Sequence, residues 1–192
     1  MTWQADRPLQ VLVVCTANQC RSPMAERLLA RRLEQSGIPA TVGSAGFLRG
    51  GVPAAEGAVD ALGNMGLDLS DHRSRTIDAD LLAAADITIT MEGTHVVDIV
   101  TTWTGHGGRA IRLHDAVDGA NLLAGEPVRT PDVVRRWAEY LHSAAGNSVF
   151  DNRRDVPDPM GRSKRAFQAS AASLDDQLSV VVGAWAGTSP IA

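Results

Sequence analysis

Apolar residues run almost unbroken from Leu9 to Val14, in the order Leu-Gln-Val-Leu-Val-Val. A β-branched stretch of that length is the pattern of a strand buried on both faces of a parallel sheet. From Ser22 the period changes. Ala25, Leu28, Leu29 and Leu33 recur at helical spacing, while Glu26, Arg27, Arg31, Arg32 and Glu34 take the opposite face. Ser22 is placed to cap this helix and Pro23 to take its first position, with Gly37 and Pro39 ending it. Residues 9–37 therefore read as strand, tight loop, helix.

The alternation continues along the chain. A short strand is expected over 40–44, running into Ala45-Gly46, then a helix over 54–65 stopped by Gly66. A short helix over 78–85 precedes a second buried strand over 86–91. A helix over 95–103 and a fourth strand over 109–113 follow. The Val133, Val134, Trp137, Leu141 stripe predicts a helix starting near Thr130-Pro131 and ending near Ala145. Residues 147–161 read as a loop. A long last helix runs over 163–185, with Phe167, Ala171, Leu174, Leu178 and Val181 on its apolar face. Repeated strand–helix units predict an α/β fold: a three-layer sandwich with a four-stranded parallel sheet and helices on both faces. We expect one domain over 1–192.

Composition narrows the picture. The chain has 192 residues, 44% apolar and 21% charged, which suits one folded domain and excludes wholesale disorder. A net charge of −4 argues against nucleic acid or an anionic membrane surface as partner. Aromatics are only 4%, so aliphatic side chains must fill the core. Cys15 and Cys20 are too few for a disulfide scaffold or a four-cysteine zinc site. The run from Leu9 to Val14 is too short for a signal core or a membrane span, so a cytoplasmic location is expected. His95, His106, His114 and His142 lack ligand spacing, and neither metal nor cofactor is expected. Gly105-His106-Gly107-Gly108 precedes a strand rather than a helix and reads as a turn. Arg135-Arg136 and Arg153-Arg154 read as solvated faces.

The chemistry concentrates in Val14-Cys15-Thr16-Ala17-Asn18-Gln19-Cys20-Arg21-Ser22-Pro23. This segment lies at the carboxyl end of the first buried strand and leads directly into a helix. In open α/β sheets that crevice binds ligands. Successive amides can curl into a nest, and the helix N-terminus adds partial positive charge. Thr16, Ala17, Asn18, Gln19, Cys20 and Arg21 would surround a tetrahedral dianion, with the Arg21 fork on two of its oxygens. The same field favours the thiolate of Cys15, placed for in-line attack on phosphorus. Val156-Pro157-Asp158-Pro159 is stiff, because both prolines fix φ and Pro159 keeps Asp158 out of the helical region. A carboxyl group that must reach a leaving group gains from such rigidity, although Asp-Pro is also a common surface turn. Asp155 is the competing acid.

Cys15 to Glu26 (CTANQCRSPMAE) resembles the signature of low-molecular-weight protein tyrosine phosphatases. Ser44-Ala45-Gly46, the His72 and Arg75 pair, Met91-Glu92 and Asp158-Pro159 resemble further family elements, in family order. The matches cover about 1–114 and 151–185, and 115–150 looks like an inserted helical segment. The resemblance implies that Cys15 is the nucleophile and Arg21 the phosphate clamp. It implies that Asn18, Ser22, Ser44 and His72 support the loop, with Glu26 contributing. Asp158 would protonate the leaving group and then activate water. Cys20 would trap oxidised Cys15 as a reversible disulfide, unless it is simply a packed thiol. A phosphorylated protein or a small phosphomonoester would be the substrate. The oligomeric state stays open.

Three departures bear on substrate. Ala17 stands where the family usually has Gly. Met160-Gly161 follow the Asp-Pro pair in place of an aromatic, and Phe47-Leu48 offer the other cleft wall. Gln19 fits neither the tyrosine-directed nor the arginine-directed pattern. An arginine-phosphate phosphatase, an arsenate reductase relying on an external thiol, and a non-catalytic phospho-ligand module are the rival readings. The 115–150 segment is open between lid, partner surface and core.

Overall fold

The computed structural model describes residues 3–123 and 127–188. Among these, four strands form one parallel sheet: β1 (Leu9–Cys15), β2 (Ala40–Gly46), β3 (Ile87–Thr90) and β4 (Ala110–Arg112), in the order β2-β1-β3-β4. Seven α-helices accompany them: α1 (Arg21–Gln35), α2 (Glu56–Gly63), α3 (Ala79–Ala84), α4 (Gly93–Thr102), α5 (Leu113–Asp118), α6 (Pro131–Ala145) and α7 (Lys164–Trp185). This is the α/β sandwich that the strand–helix alternation predicts.

The alternating side chains of β1 feed two separate cores. Val11, Val13 and Cys15 pack with Leu28, Leu29, Leu174 and Leu178 of α1 and α7. Leu12 and Val14 pack with Leu82 of α3 and Ile99 of α4. A strand that must bury both faces can carry almost no polar side chain, which is why its sequence is so uniform. β1 lies between β2 and β3, so the chain leaves it first to one side and later to the other. The loop after β1 thus falls at the switch point of the sheet, where a crevice opens at the carboxyl ends of the strands.

The first helix begins earlier than the capping pattern suggests. Arg21 is its first residue and Cys20 its cap, without a side-chain capping bond. Ser22 and Pro23 lie inside the first turn, because the Ser22 hydroxyl is committed to neighbours beneath the loop. Asp78 does cap α3, its carboxylate accepting from the Leu81 amide at 2.8 Å. Helix α5 and the 3₁₀ turns at 119–123, 146–150 and 152–154 were not apparent in the sequence; they are too short to show a period. Gly105 to Gly108 form the turn expected before β4.

In the segment 115–150, residues 124–126 lie outside the described residues. The rest packs on the body of the fold. Val134, Trp137, Ala138 and Leu141 are buried, and the Trp137 ring meets Trp185 of α7 edge-on at 5.9 Å. The Trp137 indole N–H donates to the Gly119 carbonyl at 3.0 Å. The stripe on α6 is therefore core. Just beyond, Arg112 is wholly buried and bonds Asp115, Asp155 and the carbonyls of Ser148 and Asp151.

Two arginines expected on solvated faces hold ion pairs instead. Arg135 and Arg7 both bond Asp86, which is 1% exposed at the start of β3. Arg154 bonds Asp115 and Asp118. Burial alone would raise the Asp86 carboxyl, but hydrogen bonds from Arg7, Arg135 and the Gln10 amide outweigh it and hold it at about 2. An unfolded Asp titrates near ~4. Asp86 therefore adds stability above that value, and the addition is lost as pH falls toward 2. Asp86→Asn should lower unfolding free energy by about 2 kcal/mol at pH 7. Denaturant midpoints of wild type and variant should converge on acidification; a gap that stays constant down to pH 2 would contradict this.

Candidate active site

The loop from Thr16 to Cys20 is shaped by what its carbonyls find. Thr16 O accepts from the amides of Phe47 and Leu48, at 2.8 and 3.2 Å. Asn18 O accepts from His72 Nε2 at 2.8 Å, and Gln19 O from the Ala55 amide at 2.9 Å. The peptides are trans, so each outward carbonyl turns the next N–H the other way. The amides of Ala17, Gln19 and Cys20 thereby point away from those partners, to the opposite side of the loop.

Asn18 is the turning point. Its φ is +54°, and it is the only described non-glycine residue in the left-handed region. Asparagine tolerates that region better than most residues. Its side chain is wholly buried and fully used. Nδ2 donates to Ser22 Oγ at 2.9 Å and to Ser44 Oγ at 2.8 Å, while Oδ1 accepts from the Arg75 amide at 2.8 Å. Ser44 in turn donates to Glu26 Oε2 at 2.5 Å. Ser22 Oγ, which accepts from Asn18, lies 3.0 Å from Cys15 Sγ and 3.4 Å from the Ala45 carbonyl. The expected support group of Asn18, Ser22, Ser44 and His72 is thus one connected network, extended by Glu26 and the Arg75 backbone.

Arg21 reaches across the loop from the first turn of α1, and its side chain is 2% exposed. Nη1 donates to Glu92 Oε1 at 2.5 Å and to Val156 O at 3.0 Å. Nη2 donates to Asp158 Oδ2 at 2.9 Å and to Thr16 Oγ1 at 3.4 Å. Burial works against a charged Glu92, but the bond and charge of Arg21, with His95 and the Thr94 hydroxyl adding to them, together hold the carboxyl below its ordinary value. Asp158 remains half exposed, with Oδ1 accepting from the Met160 amide at 3.0 Å. Asp155 is spent elsewhere, accepting from the Gly93 amide at 2.9 Å and from Arg112 at 3.1 Å. Of the two candidate acids, only Asp158 touches Arg21.

Cys20 is buried beside Met160, with 3.9 Å between the sulfurs. Burial, with the Asp158 charge adding to it, pushes its thiol up to about 12. Phe47 flanks the loop and stacks on His95, with ring centroids 5.3 Å apart.

Glu92 and His95 were not assigned roles from the sequence. Met91-Glu92 stood out only as a resemblance, and His95 only as a histidine without ligand spacing. The signal available was position: both follow directly on β3, at the same sheet edge as Cys15. Among the described residues no group of three or more His, Cys, Asp or Glu side chains is placed to hold a metal ion.

A strand–loop–helix turn at a switch point, with a buried thiol at its start and a buried guanidinium at its end, defines a class of protein as well as a site. A sequence model of the family "Low molecular weight phosphotyrosine protein phosphatase" matches residues 10–122, and the chain belongs to that family. It is a cysteine-dependent phosphatase. Over 103 residues it is 35% identical to the probable low molecular weight protein-tyrosine-phosphatase EpsP of Ralstonia nicotianae, covering 54% of this chain and 69% of that protein. It is 28% identical over 158 residues to the low molecular weight protein-tyrosine-phosphatase Etp of Escherichia coli, covering 82% of each. The structure of the YwlE arginine phosphatase from Geobacillus stearothermophilus superposes with a TM-score of 0.67 at 24% identity, covering 91% of each chain.

Gly46, at the end of β2, lies under this loop. A Cβ there would fall 2.7 Å from the Asn18 nitrogen, 2.8 Å from the Thr16 oxygen and 2.9 Å from the Ala17 carbonyl carbon. All three are backbone atoms, which cannot move aside without unwinding the turn. Gly46→Ala should cost about 1–3 kcal/mol of stability and abolish tight orthovanadate binding. Calorimetry and vanadate titration of the variant would check both, and wild-type binding would show that the loop does not need this contact.

Proposed function

We propose that the chain hydrolyses phosphomonoesters in two displacements through a cysteinyl-phosphate. Cys15 is the nucleophile, Arg21 the phosphate clamp, and Asp158 the acid and then the base. The observation that carries the reading is the buried contact of Cys15 Sγ with Ser22 Oγ at 3.0 Å, the hydroxyl being held from behind by Asn18 Nδ2 at 2.9 Å. An ionised sulfur can only accept, so once Cys15 is a thiolate the Ser22 hydroxyl donates to it, and that bond stabilises the thiolate. The bond also lowers the energy of the sulfur as it leaves in the second step.

A phosphoryl dianion would settle among the amides of Ala17, Gln19 and Cys20 and take Arg21 Nη2 from Asp158. Glu92 and Val156 O would keep hold of Nη1. The guanidinium therefore stays oriented while one of its donors changes partner. Asp158, released from Arg21 beside the ester oxygen and taking up a proton from solvent as it loses that partner, is placed to protonate the leaving group. In the second step the same carboxylate takes a proton from water as the water attacks phosphorus and the Cys15 sulfur departs. One group serves both steps because the protonation states alternate.

The substrate is read as an aryl phosphate, with phosphotyrosine the protein-borne form, as the names of the relatives suggest for those proteins. Phe47, held beside Thr16 and backed by His95, supplies a flat wall on one side of the cleft. The exposed Met160 stands by the acid loop, a flexible apolar surface in place of an aromatic. Cys20 is read as a packed thiol, since a buried group held near 12 is rarely a thiolate. We read 115–150 as an inserted structural layer rather than a lid, because its apolar stripe faces the core.

Cys15→Ser should lower hydrolysis of an aryl phosphate by at least ~10³-fold; equal rates would remove Cys15 as nucleophile. Asp158→Asn should slow esters with poor leaving groups by ~10²-fold or more and activated ones far less. A leaving-group plot from a series of substituted phenyl phosphates would show the steeper slope. Parallel plots would remove Asp158 as the acid.

A further inference from the structure

Thr16 and His95 form a side-chain pair whose hydrogen bond the two-step scheme does not use. His95 lies in α4, is 3% exposed, and places Nε2 3.1 Å from Thr16 Oγ1. Its other ring nitrogen, Nδ1, is buried with no hydrogen-bond partner. Burial pushes the imidazole down from its ordinary value, with Arg21 adding to this and Glu92, Asp98 and Asp155 opposing it. The ring is thus neutral at pH 7 and carries one N–H.

Where that proton sits follows from satisfaction. A buried N–H without an acceptor costs more than a buried nitrogen lone pair, because orphaned donors are the rarer defect in folded proteins. The proton therefore belongs on Nε2, which donates to Thr16 Oγ1. Arg21 Nη2 donates to the same oxygen at 3.4 Å. With both lone pairs taken, the hydroxyl must use its own proton as a donor. Thr16 is exposed and follows the nucleophile directly, which leaves that proton free to meet a ligand in the loop.

We propose that the Thr16 hydroxyl donates a hydrogen bond to an oxygen of the bound phosphoryl group, and that His95 is the positioning residue that directs it there. The loop would then carry a side-chain donor beside its backbone amides and Arg21. The proposal rests on the phosphatase reading and adds to it a residue that binds through its side chain.

Long-range ¹H–¹⁵N correlation spectra of the uniformly labelled full chain at pH 7 read the tautomer without turnover. The expected His95 signature is a protonated Nε2 and a bare Nδ1; the opposite tautomer, or an imidazolium, would overturn the proposal. In kinetics on a phenyl phosphate, Thr16→Val should lower kcat/KM by ~10–100-fold and weaken orthovanadate inhibition to a similar degree. Thr16→Ser should restore most of both. His95→Leu should match Thr16→Val, while His95→Gln, which keeps an N–H near the position of Nε2, should retain most activity. The double variant Thr16→Val/His95→Leu should be no worse than either single one. Independent, multiplicative losses, or wild-type kinetics in Thr16→Val, would refute the role. If Cys15→Ser is inactive while Thr16→Val is unaffected, the phosphatase reading stands and this proposal alone falls.

Discussion

The left-handed turn at Asn18 is the constraint on which the site depends. A five-residue loop between a strand and a helix has many ways to close, and most would scatter its amides. Asn18 removes that freedom by tying one side chain to β2, to the Arg75 backbone and to the hydroxyl beneath the nucleophile. Its carbonyl is held by His72 from a fourth direction. The partners come from three separate stretches of chain, so the loop is correctly formed only when the sheet edge and the 72–75 segment are already in place. The cost of the unusual φ is distributed over those bonds.

Charge is managed by the same economy. A guanidinium as buried as Arg21 requires anionic partners when no substrate is bound, and Glu92 and Asp158 supply them. The two carboxylates are not equivalent. Glu92 sits at the start of α4 and shares the deeper nitrogen with a fixed backbone carbonyl. Asp158 is half exposed on a proline-flanked loop. On the proposed mechanism the less exposed partner keeps the fork aligned while the more exposed one yields to phosphate. The site is thereby preorganised for a dianion without holding an unpaired charge in its absence.

The segment between β4 and α7 bears on this site from a distance. Arg112 bonds Asp155 and two carbonyls of the 148–151 stretch, and Asp155 bonds the first amide of α4. The residue next to Asp155, Val156, pairs with Met91 and then with Arg21. The approach to the acid loop is thus anchored on the edge strand before Asp158 is reached. Trp137 against Trp185 fixes the same layer to the last helix.

By itself the sequence determined whatever depends on local pattern. Leu9 to Val14 had to be a strand buried on both faces, α1 and α7 had to present leucine stripes, and a cysteine and an arginine had to flank the turn between β1 and α1. These are consequences of periodicity and chain direction, which any reader of the residues can follow. The tertiary structure decided what depends on convergence. Which of Asp155 and Asp158 meets Arg21, that Glu92 is its second partner, that Arg135 reaches a buried Asp86, and that His95 stands against Thr16 all join residues roughly 50 to 140 positions apart. Sequence spacing carries no information about such pairs, because they are set by how helices and loops pack across the sheet edge. Short elements such as α5 were hidden for the related reason that a single helical turn owes its stability to its neighbours rather than to its own residues.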